Sequence, residues 1–219
     1  MKVIAVVPAY NEEKMIAEVV KDLRNVVGEV LVIDDGSRDS TARAAQNAGA
    51  VVLRHATNRG LGAALATGFA AAIERGGEAI VTFDADGQHD ANDVPRLLEA
   101  LPGVDIVIGS RWIKKYRPVV RCLYNRLANV FTYLLFGVWS TDTQSGLRLF
   151  SRDAAMKLEL HAERMDVSSE IFAEIGRLKL TFREIRIIPR YTEYSQSKGQ
   201  NFFVGLATLG RLFLRRLTR

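Results

Sequence analysis

With 219 residues, 48% of them hydrophobic and 25% charged, the chain is long enough to bury one sizeable core and too mixed in composition to be disordered. The lone Cys122 rules out an internal disulfide framework and suits a reducing compartment. No stretch reaches the roughly 18 uninterrupted apolar residues that a membrane-spanning helix needs, and the opening on strand-like Val3–Val7, with no basic n-region and apolar h-region, argues against a secretory signal. The expected location is therefore the cytoplasm, or the cytosolic face of a membrane. The net charge of +5 is unevenly spread. Residues 106–141 carry Arg111, Lys114, Lys115, Arg117, Arg121 and Arg126 with no acid, and residues 194–219 carry Lys198, Arg211, Arg215, Arg216 and Arg219, again with no acid. These eleven positive charges leave −6 on the rest of the chain. Both basic segments are interleaved with Leu, Phe and Val, which fits an anionic membrane surface and argues against nucleic acid as partner.

In chain order, short β-branched runs predict strands at Val3–Val7, Val30–Ile33, Val51–Leu53, Ala79–Phe83 and Ile106–Ile108. Helical periodicity falls between them at 12–26, 39–48, 60–75 and 92–101, with Asp39-Ser40-Thr41, Gly49 and Gly76-Gly77 as start and stop signals. Further on, helices are predicted at 118–137 and 167–178, with short strands at Leu147–Phe150 and Thr181–Pro189. A polar loop, Arg190–Gln200, precedes a last apolar, arginine-bearing helix over 202–218. Alternation of this kind predicts an α/β fold with a mostly parallel sheet, whose ligands lie beyond the carboxyl ends of the strands.

Four strand ends carry polar residues that are costly there unless they bind something. They are Pro8-Ala9-Tyr10-Asn11-Glu12, Asp34-Asp35-Gly36-Ser37, Asp84-Ala85-Asp86-Gly87-Gln88 and Gly109-Ser110-Arg111. Each alone reads equally as a turn or helix cap, since Asp-Gly-Ser is a common turn. Asp84 and Asp86, one residue apart beyond a buried strand, suit a hard divalent cation such as Mg²⁺ or Mn²⁺ shared with a diphosphate. Asp35 is able to accept from a base N–H, and Tyr10 to cover a base face. Asn58-Arg59-Gly60-Leu61-Gly62 has the look of a phosphate loop, but a helix start with Gly62 and Gly68 packed closely on the sheet is the preferred reading.

The four motifs, in this order, resemble family 2 glycosyltransferases with the GT-A fold, and within them the dolichyl- or polyprenyl-phosphate mannosyl- and glucosyltransferase group. The resemblance spans about residues 2–200. It implies a Rossmann-like, mostly parallel sheet flanked by helices, with amphipathic surface helices in the second half. It also implies a nucleotide-diphosphate sugar, UDP- or GDP-linked, as donor and a lipid phosphate as acceptor. Pro8, Tyr10, Glu12, Ile33 and Asp35 are then expected around the base and ribose. Asp84, Ala85, Asp86 and Gln88 are expected at the metal and diphosphate, with Asp84, Asp86 and Gln88 as ligands of Mg²⁺ or Mn²⁺. Arg190 and Lys198 match the loop that closes over the diphosphate, and Arg111 with Arg121, or Arg126 in its place, matches the acceptor-phosphate arginines.

Asp142, in the polar turn Asp142-Thr143-Gln144-Ser145-Gly146, is the candidate second carboxylate, with an Asx-turn as its plain structural alternative. If the acceptor is a hydroxyl, Asp142 must serve as base; a phosphate acceptor needs none. The catalytic set is therefore Asp86, Arg111 and Asp142. A single catalytic domain over 1–200 is expected, with the donor half at about 1–111 and the acceptor half at about 112–200, followed by a basic amphipathic helix over 201–219. That helix would meet a membrane or form a homo-oligomer interface. A catalytically silent nucleotide-binding or membrane scaffold is the rival of another class, opposed by the intact acidic pair.

Overall fold

The computed structural model of the protein describes residues 1–111, 129–130, 132–160 and 167–190. Seven strands form one sheet: β1 (Val3–Ala9), β2 (Glu29–Asp34), β3 (Val51–Arg54), β4 (Ala79–Thr82), β5 (Ile106–Arg111), β6 (Arg148–Ser151) and β7 (Phe182–Ile187). Their spatial order is β3-β2-β1-β4-β6-β5-β7, parallel throughout except for β6, which runs antiparallel to both β4 and β5. The chain moves outward from β1 through β2 to β3, then returns to place β4 on β1's other side. That reversal is the topological switch point at which open α/β sheets bind ligands.

Among the described residues, helices on the two faces include α1 (Ile16–Arg24), α2 (Thr41–Asn47), α3 (Leu61–Glu74), α4 (Asp93–Ala100), α5 (Arg152–Lys157) and α6 (Val167–Leu178). Strand periodicity sorts the side chains between them. Val3, Ala5, Val7 and Ala9 face a core shared with Ile16, Val20, Leu23 and Leu97 of α1 and α4. Ile4 and Val6 face a second core with Leu65, Phe69, Phe172 and Ile175 of α3 and α6. β1 is thus buried on both sides, which explains its unbroken apolar run.

The described strands and helices follow the predicted order, with three differences. The first helix starts at Ile16 instead of residue 12, because the preceding turn is tied to the β2 end: Asn11, at φ 55°, donates its N–H to Ser37 Oγ, and Glu12 donates to Thr41 Oγ1. The reversed β6 departs from the parallel pattern of the first five strands. Helix α5 was not anticipated; six residues are too few to show periodicity, although Ser151 caps it by accepting from Ala154 N at 3.2 Å. Residues 132–136 are helical, but most of the predicted 118–137 helix and all of 202–218 lie outside the described residues.

Gly68 lets α3 lie against β1, as its sequence position suggested. A Cβ there would stand 2.2 Å from Val6 Cγ1. Gly68→Ala is expected to destabilise the protein by about 1–3 kcal/mol in urea unfolding. Alanine's better helix propensity returns at most about 1 kcal/mol, so an unchanged or raised midpoint would refute the close-packing account.

Candidate active site

The sheet's carboxyl edge gathers the predicted strand ends. After β2, Asp34 is fully buried; one oxygen accepts from Ser37 N at 2.9 Å and the other lies 3.1 Å from Arg54 Nε. Asp35, also buried, does more than a turn residue does. It contacts His55 Nδ1 at 2.7 Å and accepts from the N–H groups of Arg59 at 2.9 Å and Gly60 at 2.7 Å. His55 in turn meets Thr67 Oγ1 at 3.0 Å. A carboxylate has about four lone-pair sites, so one direction remains for a ligand N–H. Asp35 therefore fastens the β2 end to the start of α3, and the Asn58–Gly62 segment is a helix entry. Gly36, at φ 74°, is required where a Cβ would lie 2.7 Å from the Thr57 backbone.

Around this point Tyr10 stands 41% exposed at the end of β1, free to cover a planar ring, and Pro8 is half-buried. Glu12 lends its carbonyl to Met15 N and Ile16 N at the entry of α1. Ile33 is fully buried, its side chain against α3 and 3.3 Å from where a Gly68 Cβ would be, so it supports this strand end from beneath. Ala85 is likewise buried in the first core, leaving only its backbone to a ligand.

Beyond β4, Asp84 lies deep among charged groups while 42% of its side-chain surface stays open. Its Oδ2 contacts buried His89 Nε2 at 2.9 Å, and Gly146 passes so close that a Cβ there would sit 2.1 Å from Oδ1. Burial raises the pKa of Asp84, but the His89 hydrogen bond and the charges of His89, Arg111 and Arg148 outweigh it, and the net shift is downward. Asp86 goes the other way: burial and the neighbouring Asp84 charge raise it, although Gln88 N donates to it at 3.0 Å. Gln88 Nε2 also reaches Asp86 Oδ2 at 2.6 Å.

Beyond β5, Arg111 and Asp142 form a two-pronged ion pair. Nε donates to Oδ2 at 2.7 Å and Nη2 to Oδ1 at 2.9 Å, while the backbone N–H of Arg111 reaches Oδ2 at 3.0 Å. Gln144 N adds a fourth donor at 3.3 Å. Asp142 is thus both the Asx-turn residue and the holder of Arg111. Its turn is anchored by Glu184 on β7, which accepts from Ser140 Oγ, Thr141 N and Thr141 Oγ1. Asn129 completes the anchorage, donating to Thr141 O and accepting from Thr143 Oγ1.

Arg190 lies beside Gln88 but turns outward: its N–H donates to Gln88 O at 2.8 Å, and its guanidinium pairs with Asp90 at 2.5 Å. In this arrangement it ties the segment after β7 to the acidic loop. Lys198, Arg121 and Arg126 lie outside the described residues. Sequence reasoning missed His55, His89, Arg148 and Glu184, each of which holds a named site residue or its loop. For His89 a signal was available: it directly follows the Asp84–Gln88 motif.

A fit for a divalent cation rests on the two carboxylates. Among the described residues no group of three His, Cys, Asp or Glu side chains is gathered for a metal. Burial first, and the neighbouring Asp84 charge second, raise the pKa of Asp86, and a cation between the two carboxylates would relieve their mutual repulsion. Two protein carboxylates with the other positions left to water or phosphate oxygens is a donor set that Mg²⁺ accepts readily.

The comparisons with known proteins follow this geometry. The model for glycosyl transferase family 2 matches residues 4–158. The chain is 34% identical, over 97% of its length and 95% of the relative's, to a UDP-N-acetylglucosamine–dolichyl-phosphate N-acetylglucosaminyltransferase of Methanococcus voltae. It is 33% identical to an undecaprenyl-phosphate mannosyltransferase of Micrococcus luteus, covering 88% of this chain and 82% of that one. It is also 41% identical to an uncharacterised protein of Methanocaldococcus jannaschii, over 99% and 93% of the two lengths. In fold it matches glucosyl-3-phosphoglycerate synthase of Mycobacterium tuberculosis, solved with Mn²⁺, UDP and its product, at a TM-score of 0.78 and 22% identity over 99% of this chain and 79% of that one. A family model over most of the chain, relatives similar along nearly the whole of both sequences and a shared GT-A fold lead to one conclusion: the chain belongs to glycosyl transferase family 2 and is a glycosyltransferase.

Proposed function

We propose that the protein transfers a hexose from a UDP- or GDP-sugar to a polyprenyl phosphate, with inversion and with the help of a divalent cation, at the cytosolic face of a membrane. The observation that carries the acceptor class is the state of Asp142. Four donors already fill its carboxylate, three of them from Arg111, so it is poorly placed to take a proton from a hydroxyl. A phosphate oxygen is ionised at neutral pH and needs no such base; it needs positive charge to offset repulsion from the donor's diphosphate. Arg111, oriented by Asp142, supplies a fixed guanidinium at the strand end for that purpose. The lipid-phosphate acceptors named for the relatives from Methanococcus voltae and Micrococcus luteus point the same way.

On the donor side, Tyr10 and the remaining lone pair of Asp35 would receive the base. Asp84 and Asp86 would hold Mg²⁺ or Mn²⁺ together with the diphosphate, Gln88 bracing Asp86. When bound, the ion would act as a Lewis acid, neutralising charge on the departing nucleoside diphosphate. No helix among the described residues is long and apolar enough to cross a membrane. Attachment is accordingly proposed through the two basic, apolar segments.

The test is a product screen. UDP- and GDP-sugars are incubated with short polyprenyl phosphates and with the corresponding alcohols, with Mg²⁺ or Mn²⁺ and with excess chelator. A lipid-linked sugar phosphate is expected from one donor class only, with transfer lost in chelator. Transfer to the alcohols alone would move the reading to hydroxyl acceptors, and full transfer in chelator would remove the cation.

A further inference from the structure

Arg148 is a buried cation near the site, at 2% exposure, and no step described so far uses it. Strand β6 places it opposite Thr82 of β4 on one side and Ile108 of β5 on the other. Asp84 begins just beyond the first of these strands and Arg111 ends the second. The Arg148 side chain donates from Nη2 to Thr143 O at 2.9 Å, and its guanidinium lies over the Phe172 ring at 5.7 Å. Its Nε has no hydrogen-bond partner among the described residues. A structural arginine is normally fully bonded, since burying its charge is costly.

We propose that Arg148 is a positioning residue acting by charge: the internal cation that braces the Thr143 turn, lies across the sheet beside the strand end that carries Asp84, and makes the acidic donor pocket receptive to a diphosphate. The inference rests on the reading that Asp84 and Asp86 meet the cation and diphosphate. Without a counter-charge, the Asp84–Asp86 edge would repel an anion. Arg111 stands at the end of β5 beside Asp142, whereas Arg148 is held inside the sheet on β6, opposite the strand that leads to Asp84. Its field is felt at Asp84 and Asp142 alike, and burial lowers its own pKa to about 10, still fully charged at neutral pH. Being nearly inaccessible, it contributes no contact to a ligand; a charge in such a low-dielectric position acts over a longer range than one at the surface.

A buried cation has opposite consequences for the two ligands, and this separates it from a structural brace. It weakens binding of a metal ion and strengthens binding of a nucleoside diphosphate. Calorimetric titration of the full chain with Mn²⁺ alone, and with UDP and GDP in chelator, would be compared for wild type, Arg148→Met and Arg148→Lys, with melting curves for each. Arg148→Met is expected to bind Mn²⁺ more tightly and the preferred nucleotide more weakly, each by about tenfold at the effective dielectric of a partly buried site. Arg148→Lys should stay within about threefold of wild type in both. If Arg148→Met fails to fold, Arg148→Gln, which keeps a donor for Thr143 O without the charge, is held to the same outcome. Shifts of the same sign for both ligands, no shift, or a folded lysine variant that behaves like methionine would overturn the proposal. A wild-type protein that binds neither Mn²⁺ nor either nucleotide would overturn the donor-site reading as well.

Discussion

Asp86→Ala is expected to lower sugar transfer by about a thousandfold or more while leaving the sheet folded. The side chain follows β4 at the switch point, is half-buried, and bonds to the backbone and side chain of Gln88 rather than to a strand. Its loss removes one of the two carboxylates proposed for the cation, whose charge stabilisation of the leaving group is worth several kcal/mol, or roughly three decades in rate. Because burial and Asp84 raise the Asp86 pKa, folding gains nothing from its ionised form, and the variant should melt at or slightly above the wild-type temperature. Product formation measured beside a thermal melt checks both halves. A folded variant within tenfold of wild-type activity would remove Asp86 from the mechanism.

Asp142→Ala should fail differently, losing stability and activity together. The carboxylate is 2% exposed and receives three hydrogen bonds from Arg111, so its removal strands a largely buried guanidinium at a cost of about 3–5 kcal/mol. Transfer should fall at least a hundredfold, since Arg111 loses the partner that aims it. The double variant Arg111→Met with Asp142→Leu should recover much of the stability, because replacing both members of a buried pair by apolar groups is often neutral or better. Activity should not return with it. Urea unfolding alongside the transfer assay separates the two effects, and recovery of activity in the double variant would show that the pair serves folding only.

These two carboxylates illustrate what a sequence can show. Asp86 was legible because its surroundings are local: an apolar run, then acid, then glycine, all within ten residues. Asp142 was legible as a polar turn residue, but not as the holder of Arg111, because that partner arrives from a strand thirty-one positions away. The same distinction explains Ile33. Its neighbours in sequence placed it at a motif, whereas the pleat turned its side chain down into the core against Gly68. His55 and Arg148 carried no pattern of their own; one is a lone histidine after an edge strand, the other an arginine inside a predicted strand. Their meaning appears only when β2, α3, β4, β5 and β6 converge. Helix α5 escaped because a single capped turn and a half has no period to detect.

The antiparallel placement of β6 has a consequence for how such a protein diversifies. A parallel strand would have to be entered from the far edge of the sheet, forcing the chain to cross a face first. β6 is entered from the carboxyl edge, so the excursion that leaves β5 at Arg111 starts and finishes on that one rim. The described part of that excursion is tied down at more than its two ends: Asn129 holds Thr141 and Thr143, and Phe136 and Val138 pack against the second core. A graft between Arg111 and Ser140 would therefore have to keep Asn129, Phe136 and Val138 if the Asp142 turn, and with it Arg111, is to stay in place.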